Sequence, residues 1–239
     1  SGNTTHYISF FSDITEFKLA EKKIEKLAFY DPLTELPNRR LLHERLEHEL
    51  NIAARYHRAG ILFFLDLDRF KHINDSLGHS VGDLLLIETA HRLLSLLRNI
   101  DTAVRLGGDE FIILVSAQDG VHTDLLEQSK VIAEKIINEI NQPFLINEHK
   151  LFISTSIGIT LYYGIDETVE LLLKRADTAM YQAKEAGRNT FRFYQQSMQD
   201  AADTRLHIEK NLRTAIINNE FNLHYQPLLS ENNTIIGAE

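Results

Sequence analysis

The hydrophobic pattern of this chain changes period several times, and each change marks an element. The run ILFFLDLDRF at 61–70 is apolar until it reaches acid, which predicts a buried strand. Before it, an amphipathic stretch from Asn38 to Arg58 predicts a helix, stopped by Gly60. After it come a predicted short helix to about Leu77, a glycine-rich turn GHSVGD, and a longer helix from about Asp83 to Leu97. Residues 102–106 and 111–117 predict two strands folded about Gly107-Gly108, because glycine accepts the positive φ a hairpin needs. A helix at 122–141, strands near 143–147 and 150–162, a helix at 168–186 and a strand at 190–194 complete the set. Together they predict an α/β fold with a mixed, largely antiparallel central sheet flanked by helices.

The two ends read differently. HYISFFSDIT predicts a strand running into a turn, followed by a charged helix from Ile14 to about Tyr30. Phe17, Ala20, Ile24 and Leu27 form a narrow stripe on it, which suits either a short two-stranded coiled coil or packing on its own domain. Asp31-Pro32 ends that helix, since a residue before proline is pushed out of the α region. After Tyr194 the polar segment QQSMQDAADT reads as a linker. A helix at 204–219 and strand-like pieces at 222–227 and 234–237 follow, too little chain to form a core of their own.

Composition narrows the class without choosing a function. The 239 residues are 44% apolar and 25% charged, as in ordinary globular proteins. No stretch reaches the roughly 18 apolar residues of a membrane span. The lack of cysteine rules out thiolate metal sites and disulfides and fits a cytoplasmic setting. A net charge of −9 argues against a general nucleic-acid-binding surface, though a locally basic pocket or a metal could still hold a nucleotide.

Four constellations carry chemistry. Asp66 and Asp68 share one strand face by the period of two, and Asp109 and Glu110 follow the glycines of the hairpin. If those strands pair, carboxylates converge, and a hard divalent cation such as Mg²⁺ relieves their repulsion. Asp68 reads equally as a cap or turn acid. Asn74 and Asp83 could read the donor and acceptor edge of guanine, or could end one helix and cap the next. Lys184 and Arg188, four apart, share a helix face and could neutralise a triphosphate or simply face solvent. Arg98 and Asp101 flank a turn, where a helix-terminal charge and a turn acid are also ordinary.

Taken in order and spacing, DPLTELPNRR (31–40), FFLDLDRFKHINDSLGHSVGD (63–83), RLGGDEF (105–111) and ADTAMYQAKEAGRN (176–189) resemble the signature segments of the GGDEF diguanylate cyclases, over roughly residues 25–195. The resemblance implies a fold like the polymerase palm and class III nucleotide cyclases. It implies condensation of two GTP molecules into cyclic di-GMP with release of pyrophosphate, using Mg²⁺ or Mn²⁺. Carried over by position, Asp66, the Leu67 carbonyl and Asp109 would hold the metal with Glu110 assisting, and Asp109 would serve as general base. Asn74 and Asp83 would bind guanine, His79 would line the site, and Lys71, Lys184 and Arg188 would contact phosphates. Arg98 and Asp101 match the family's RxxD site for inhibition by product.

The flanks extend the resemblance: residues 1–13 resemble the end of a PAS sensor and 14–30 a signalling helix. The cyclase domain then occupies 31–195, a linker 196–203, and the start of an EAL phosphodiesterase domain 204–239. Each domain would bind one GTP, so catalysis would need a homodimer, in a cytoplasmic module whose parent could be tethered to a membrane upstream. The alternative is a catalytically weak GTP-binding module that regulates an adjacent EAL domain.

Overall fold

The computed structural model describes residues 13–118, 122–164, 166–200, 211, 215, 218, 224, 226–232 and 234–238. Its centre is β1 (Ala59–Leu67), whose every residue is buried although both its neighbours run antiparallel to it. Both faces are covered by helices, so the strand carries no alternation of apolar and polar residues. The sheet follows the order β2 (Thr102–Gly107), β3 (Glu110–Gln118), β1, β6 (Thr155–Tyr162), β7 (Phe191–Phe193). Only the β6–β7 pair is parallel, so the predicted mixed, largely antiparallel sheet is what forms.

On one face Ile61, Phe63 and Leu65 pack with residues of α4 (His79–Leu96) and α5 (His122–Ile140). Arg92 of α4 ties these helices to the chain beyond them. It donates to the carbonyls of Glu139, Gln142 and Pro143 and stacks 3.6 Å from the Phe144 ring. On the opposite face Leu62 and Phe64 meet Leu42, Leu46 and Ala53 of α2 (Arg39–Tyr56) and Leu172, Ala176 and Met180 of α6 (Val169–Glu185). The closest approach is at Gly158 of β6. A Cβ there would lie 1.9 Å from the Ala176 carbonyl oxygen and 2.3 Å from the Met180 nitrogen, so only glycine lets α6 lie on the sheet backbone.

Two expected boundaries are corrected. GHSVGD is not a turn: α3 (Phe70–Leu77) gives way at Gly78 alone, with φ of 86°, and α4 starts at His79. Asp83 therefore lies in the second turn of α4 and does not cap it. The single strand expected at 150–162 is split into β5 (His149–Leu151), which pairs with β4 (Phe144–Ile146), and β6. The break has a cause: Ser154 turns to meet the end of β1, its carbonyl accepting from the Asp68 N–H at 2.9 Å. The expected linker at 196–203 is helical over 196–200, where Gln196 donates to Asp200 one turn on.

Helix α1 (Thr15–Phe29) leaves Ile24 68% and Leu27 63% exposed, so this part of its stripe does not pack on the helix's own unit. The side chains of Phe17 and Ala20, the strand expected at the N-terminus and most of the helix expected at 204–219 lie outside the described residues. The chain divides into two units, 1–195 and 196–239. In the second, β8 (Pro227–Leu229) and β9 (Ile235–Ala238) form a hairpin with Leu229, Ile235 and Ile236 exposed. Among the described residues no helix is long and apolar enough to cross a membrane.

Candidate active site

The central pairing does what the sequence pattern asked of it. Antiparallel register sets Asp66, near the end of β1, directly opposite Glu110 at the start of β3. The turn Gly107-Gly108 takes φ of 147° and 54° and delivers Asp109 to the same corner, where the Asp109 carbonyl accepts from the Leu67 N–H at 3.3 Å. From the other side, α6 brings Lys184 Nζ to 2.7 Å from Asp66 Oδ2.

The electrostatics of this corner are crowded. Burial pushes the Asp66 carboxyl up to about 6, and the Asp109 and Asp68 charges push the same way against the pull of Lys184. Glu110 is raised too, by burial first and then by Asp177 and Asp109. Asp177 was not foreseen. It lies on α6 seven residues before Lys184, two helical turns away on one face, and that spacing was the available signal. Part of it reaches solvent, yet burial raises its carboxyl, with Lys184 pulling the other way.

Asp68 is a structural residue. Its carboxylate accepts from Ser154 Oγ and Ser156 Oγ, each at 2.6 Å, and from the Asn189 N–H at 3.0 Å, so it ties β1 to β6 and to the turn after α6. It is neither a helix cap nor a solvated turn acid, being buried at 6% exposure, and its bonds leave Asp66 as the carboxylate aimed at the corner.

The remaining predicted residues spread outward. Asn74, on α3, faces Gly82 of α4 so closely that a Cβ on Gly82 would sit 1.9 Å from Asn74 Oδ1. That oxygen is buried and has no hydrogen-bond partner. Asp83 is the next residue on α4, exposed, as are His79 and Lys71. Arg188 follows α6 with φ of 66° and lines a neighbouring cavity with Arg69, His72 and Phe152. Among the described residues, no three acidic or histidine side chains enclose a place for a metal ion by themselves.

Arg98 and Asp101 stand elsewhere, before the start of β2, while the acidic turn follows its end. The Arg98 N–H donates to Asp101 Oδ2 at 3.1 Å, and Asp101 Oδ1 is buried without a partner. Both residues line a cavity of about 250 Å³ with Gln128 and Lys135 of α5.

A palm-like sheet carrying an acidic hairpin beside a helix-borne lysine defines a class, and the comparisons agree on it. The chain belongs to the family described as "Diguanylate cyclase, GGDEF domain", which matches residues 28–190. It is similar to the bifunctional diguanylate cyclase/cyclic di-GMP phosphodiesterase MucR of Pseudomonas aeruginosa, with 43% identity over 94% of this chain and 32% of MucR. It is also similar to the cyclic di-GMP phosphodiesterase PdeR of Escherichia coli K12, with 36% identity over 92% of this chain and 32% of PdeR. Among solved structures, the GGDEF domain of YfiN (TpbB) from P. aeruginosa superposes with a TM-score of 0.68 at 35% identity, covering 73% of this chain and 99% of that one. The chain thus spans about a third of the length of the curated relatives named here.

Proposed function

We propose that this chain is a diguanylate cyclase module of a cyclic di-GMP signalling protein, joining two GTP molecules with loss of two pyrophosphates. The observation that carries the reading is the crowding of Asp66, Asp109 and Glu110 at one end of the sheet, with Lys184 against Asp66.

The donor set fits a hard divalent cation: every ligand on offer is oxygen, and Asp66, raised first by burial, also feels the neighbouring Asp109 and Asp68 charges. Mg²⁺ keeps waters and takes phosphate oxygens, so a site with few protein carboxylates suits it. Asp66, the Leu67 carbonyl and Asp109 would hold the ion, with Glu110 assisting. Bound there, it would polarise the α-phosphate and offset developing charge.

The chain's own residues do the rest. Asp109 accepts the proton of the attacking 3′-hydroxyl. That oxygen bonds to the α-phosphorus of the other GTP as the bond to pyrophosphate breaks. Lys184, Arg188 and Lys71 hold the phosphates in line. Asp83 accepts from the guanine donors and the Asn74 amide donates to the acceptor side, an arrangement adenine cannot complete. His79 lines this pocket. Each domain offers one such half-site, so two copies face each other, and the exposed Ile24 and Leu27 of α1 suit a paired helix. Product binds at Arg98 and Asp101 and restrains the enzyme. The parent protein places a PAS sensor before this domain and an EAL domain after it.

A second reading is favoured by PdeR, a relative named as a phosphodiesterase. On that reading the domain binds GTP and regulates an EAL neighbour with little turnover of its own. The two separate on incubation with GTP and Mg²⁺ beside an Asp109→Ala control. Cyclic di-GMP made only by the unaltered chain establishes the cyclase; GTP bound without pyrophosphate release establishes the regulatory module.

A further inference from the structure

Asp109 follows two glycines in a turn, a poor place to hold a general base unless something fixes the backbone. The β2–β3 ladder closes the turn by pairing Gly107 with Glu110, but its register shifts between Arg105 and Gly107. A side chain adds a second hold. Arg105 donates from Nε and Nη2 to the Gly108 carbonyl, at 3.1 and 2.8 Å. That carbonyl belongs to the planar peptide whose nitrogen is Asp109's, so holding it sets the plane on which the Asp109 side chain is mounted. On the far side, the Asp109 carbonyl is held by the Leu67 N–H at 3.3 Å.

Arg105 is itself fixed. Its Nη1 meets Asp31 Oδ1 at 2.9 Å, with only 10% and 16% of the two side chains exposed. The same Asp31 oxygen accepts from the Thr34 N–H at 2.9 Å and the Thr34 hydroxyl at 2.7 Å. Burial alone would raise the Asp31 carboxyl, but the bonds from Thr34 and Arg105 more than offset it and leave it lowered, hence ionised. Around them the Asp31 N–H bonds the Leu36 carbonyl at 2.7 Å and the Arg105 N–H bonds the Pro37 carbonyl at 3.0 Å. Asn38 caps α2 while its Nδ2 reaches back to the Ala28 carbonyl of α1 at 3.0 Å.

We propose that Arg105, anchored by Asp31, is the positioning residue of the Asp109 carboxylate, and that it makes the α1–α2 junction and the acidic turn one mechanical unit. Its activity readout rests on the cyclase reading; its structural readout does not. The test substitutes Arg105→Lys, which keeps the charge but cannot fork between Gly108 and Asp31. Turnover of GTP should fall by about tenfold or more, since small displacements of reacting groups cost that much. GTP affinity should stay within about twofold, as the guanine pocket is untouched. Amide exchange at Asp109 should speed up in the same sample. Asp31→Asn, which keeps an acceptor for Thr34, should give a smaller fall of the same kind and decides the matter if the lysine variant does not fold. A folded variant with wild-type turnover and wild-type exchange at Asp109 overturns the proposal. If the unaltered chain makes no cyclic di-GMP, the cyclase reading fails, and the exchange measurement still tests the positioning.

Discussion

The two ends of β2 are built on opposite plans. At its C-terminal end two ion pairs are already formed, Asp66 with Lys184 and Arg105 with Asp31, and Arg105 also holds the Gly108 carbonyl. At its N-terminal end, roughly 20 Å away by strand rise over six residues, Asp101 keeps an orphaned oxygen, and among the described residues the Arg98 guanidinium makes no hydrogen bond or ion pair. A preorganised corner costs little reorganisation when charge develops in a reaction. A corner with unmatched groups at the rim of a cavity gains most when a ligand supplies the missing partners. Under the function proposed above, the difference separates a place for chemistry from a place for binding, and changes at one end should leave the other alone.

The largest expected effect comes from moving the helix that supplies Lys184. Gly158→Ala puts a methyl group against backbone atoms of Ala176 and Met180, which cannot rotate away. Overpacking of this kind costs about 1–3 kcal/mol, and α6 must lift, carrying Lys184 from Asp66. The thermal midpoint and GTP turnover should both fall, while cyclic di-GMP binding at the Arg98–Asp101 cavity, measured by calorimetry on the folded fraction, should be retained. Loss of both functions together in a folded variant would break the comparison.

How much of this was legible beforehand follows from where each signal lies. The β1 run and the Gly107-Gly108 hairpin are local patterns, so the sheet and the meeting of Asp66 with the acidic turn could be read from the sequence. The start of α4 could not, because Gly78 alone performs a break that GHSVGD spreads over six residues. Nor could the split between β5 and β6, which depends on Asp68 drawing in Ser154 from 86 residues away. Asp31 and Arg105 both lay within quoted signature segments, yet their role follows from a contact across 74 residues. The period-two reading put Asp66 and Asp68 on one face and was silent on which would be spent on hydroxyl groups. The candidate site residues were named from family resemblance, while the contacts that support them needed the fold.

A smaller effect concerns the proton on Asp66. Its carboxyl titrates near 6 in the folded chain against 3.8 ordinarily, burial being the main cause. Between those values the folded molecule holds a proton that the unfolded chain has released, so metal-free stability should fall as pH rises from about 4 to about 6. Above that window the ionised group is the ligand a divalent cation needs. The Mg²⁺-induced rise in thermal midpoint should therefore be larger at about pH 7.5 than at about pH 5, and Asp66→Asn should flatten this dependence. An equal rise at both pH values in the unaltered chain would remove Asp66 from the metal site.

The gentlest change should be at the other end. Arg98→Ala removes a guanidinium with no partner among the described residues, so the fold should lose no more than about 0.5 kcal/mol. Initial turnover, measured before product accumulates, should match the unaltered chain, because β2 still carries its hairpin and Arg105 is untouched. Cyclic di-GMP should nonetheless bind at least about tenfold more weakly, as an arginine fork is lost from a partly buried site. Progress curves that bend as product builds up in the unaltered chain should stay straight in the variant. Asp101→Asn sharpens the point, since it keeps an oxygen for the Arg98 N–H but replaces one carboxylate acceptor with a donor. If both variants bind product as tightly as the unaltered chain, the orphaned Asp101 oxygen is a feature of folding and this end of β2 has no ligand of its own.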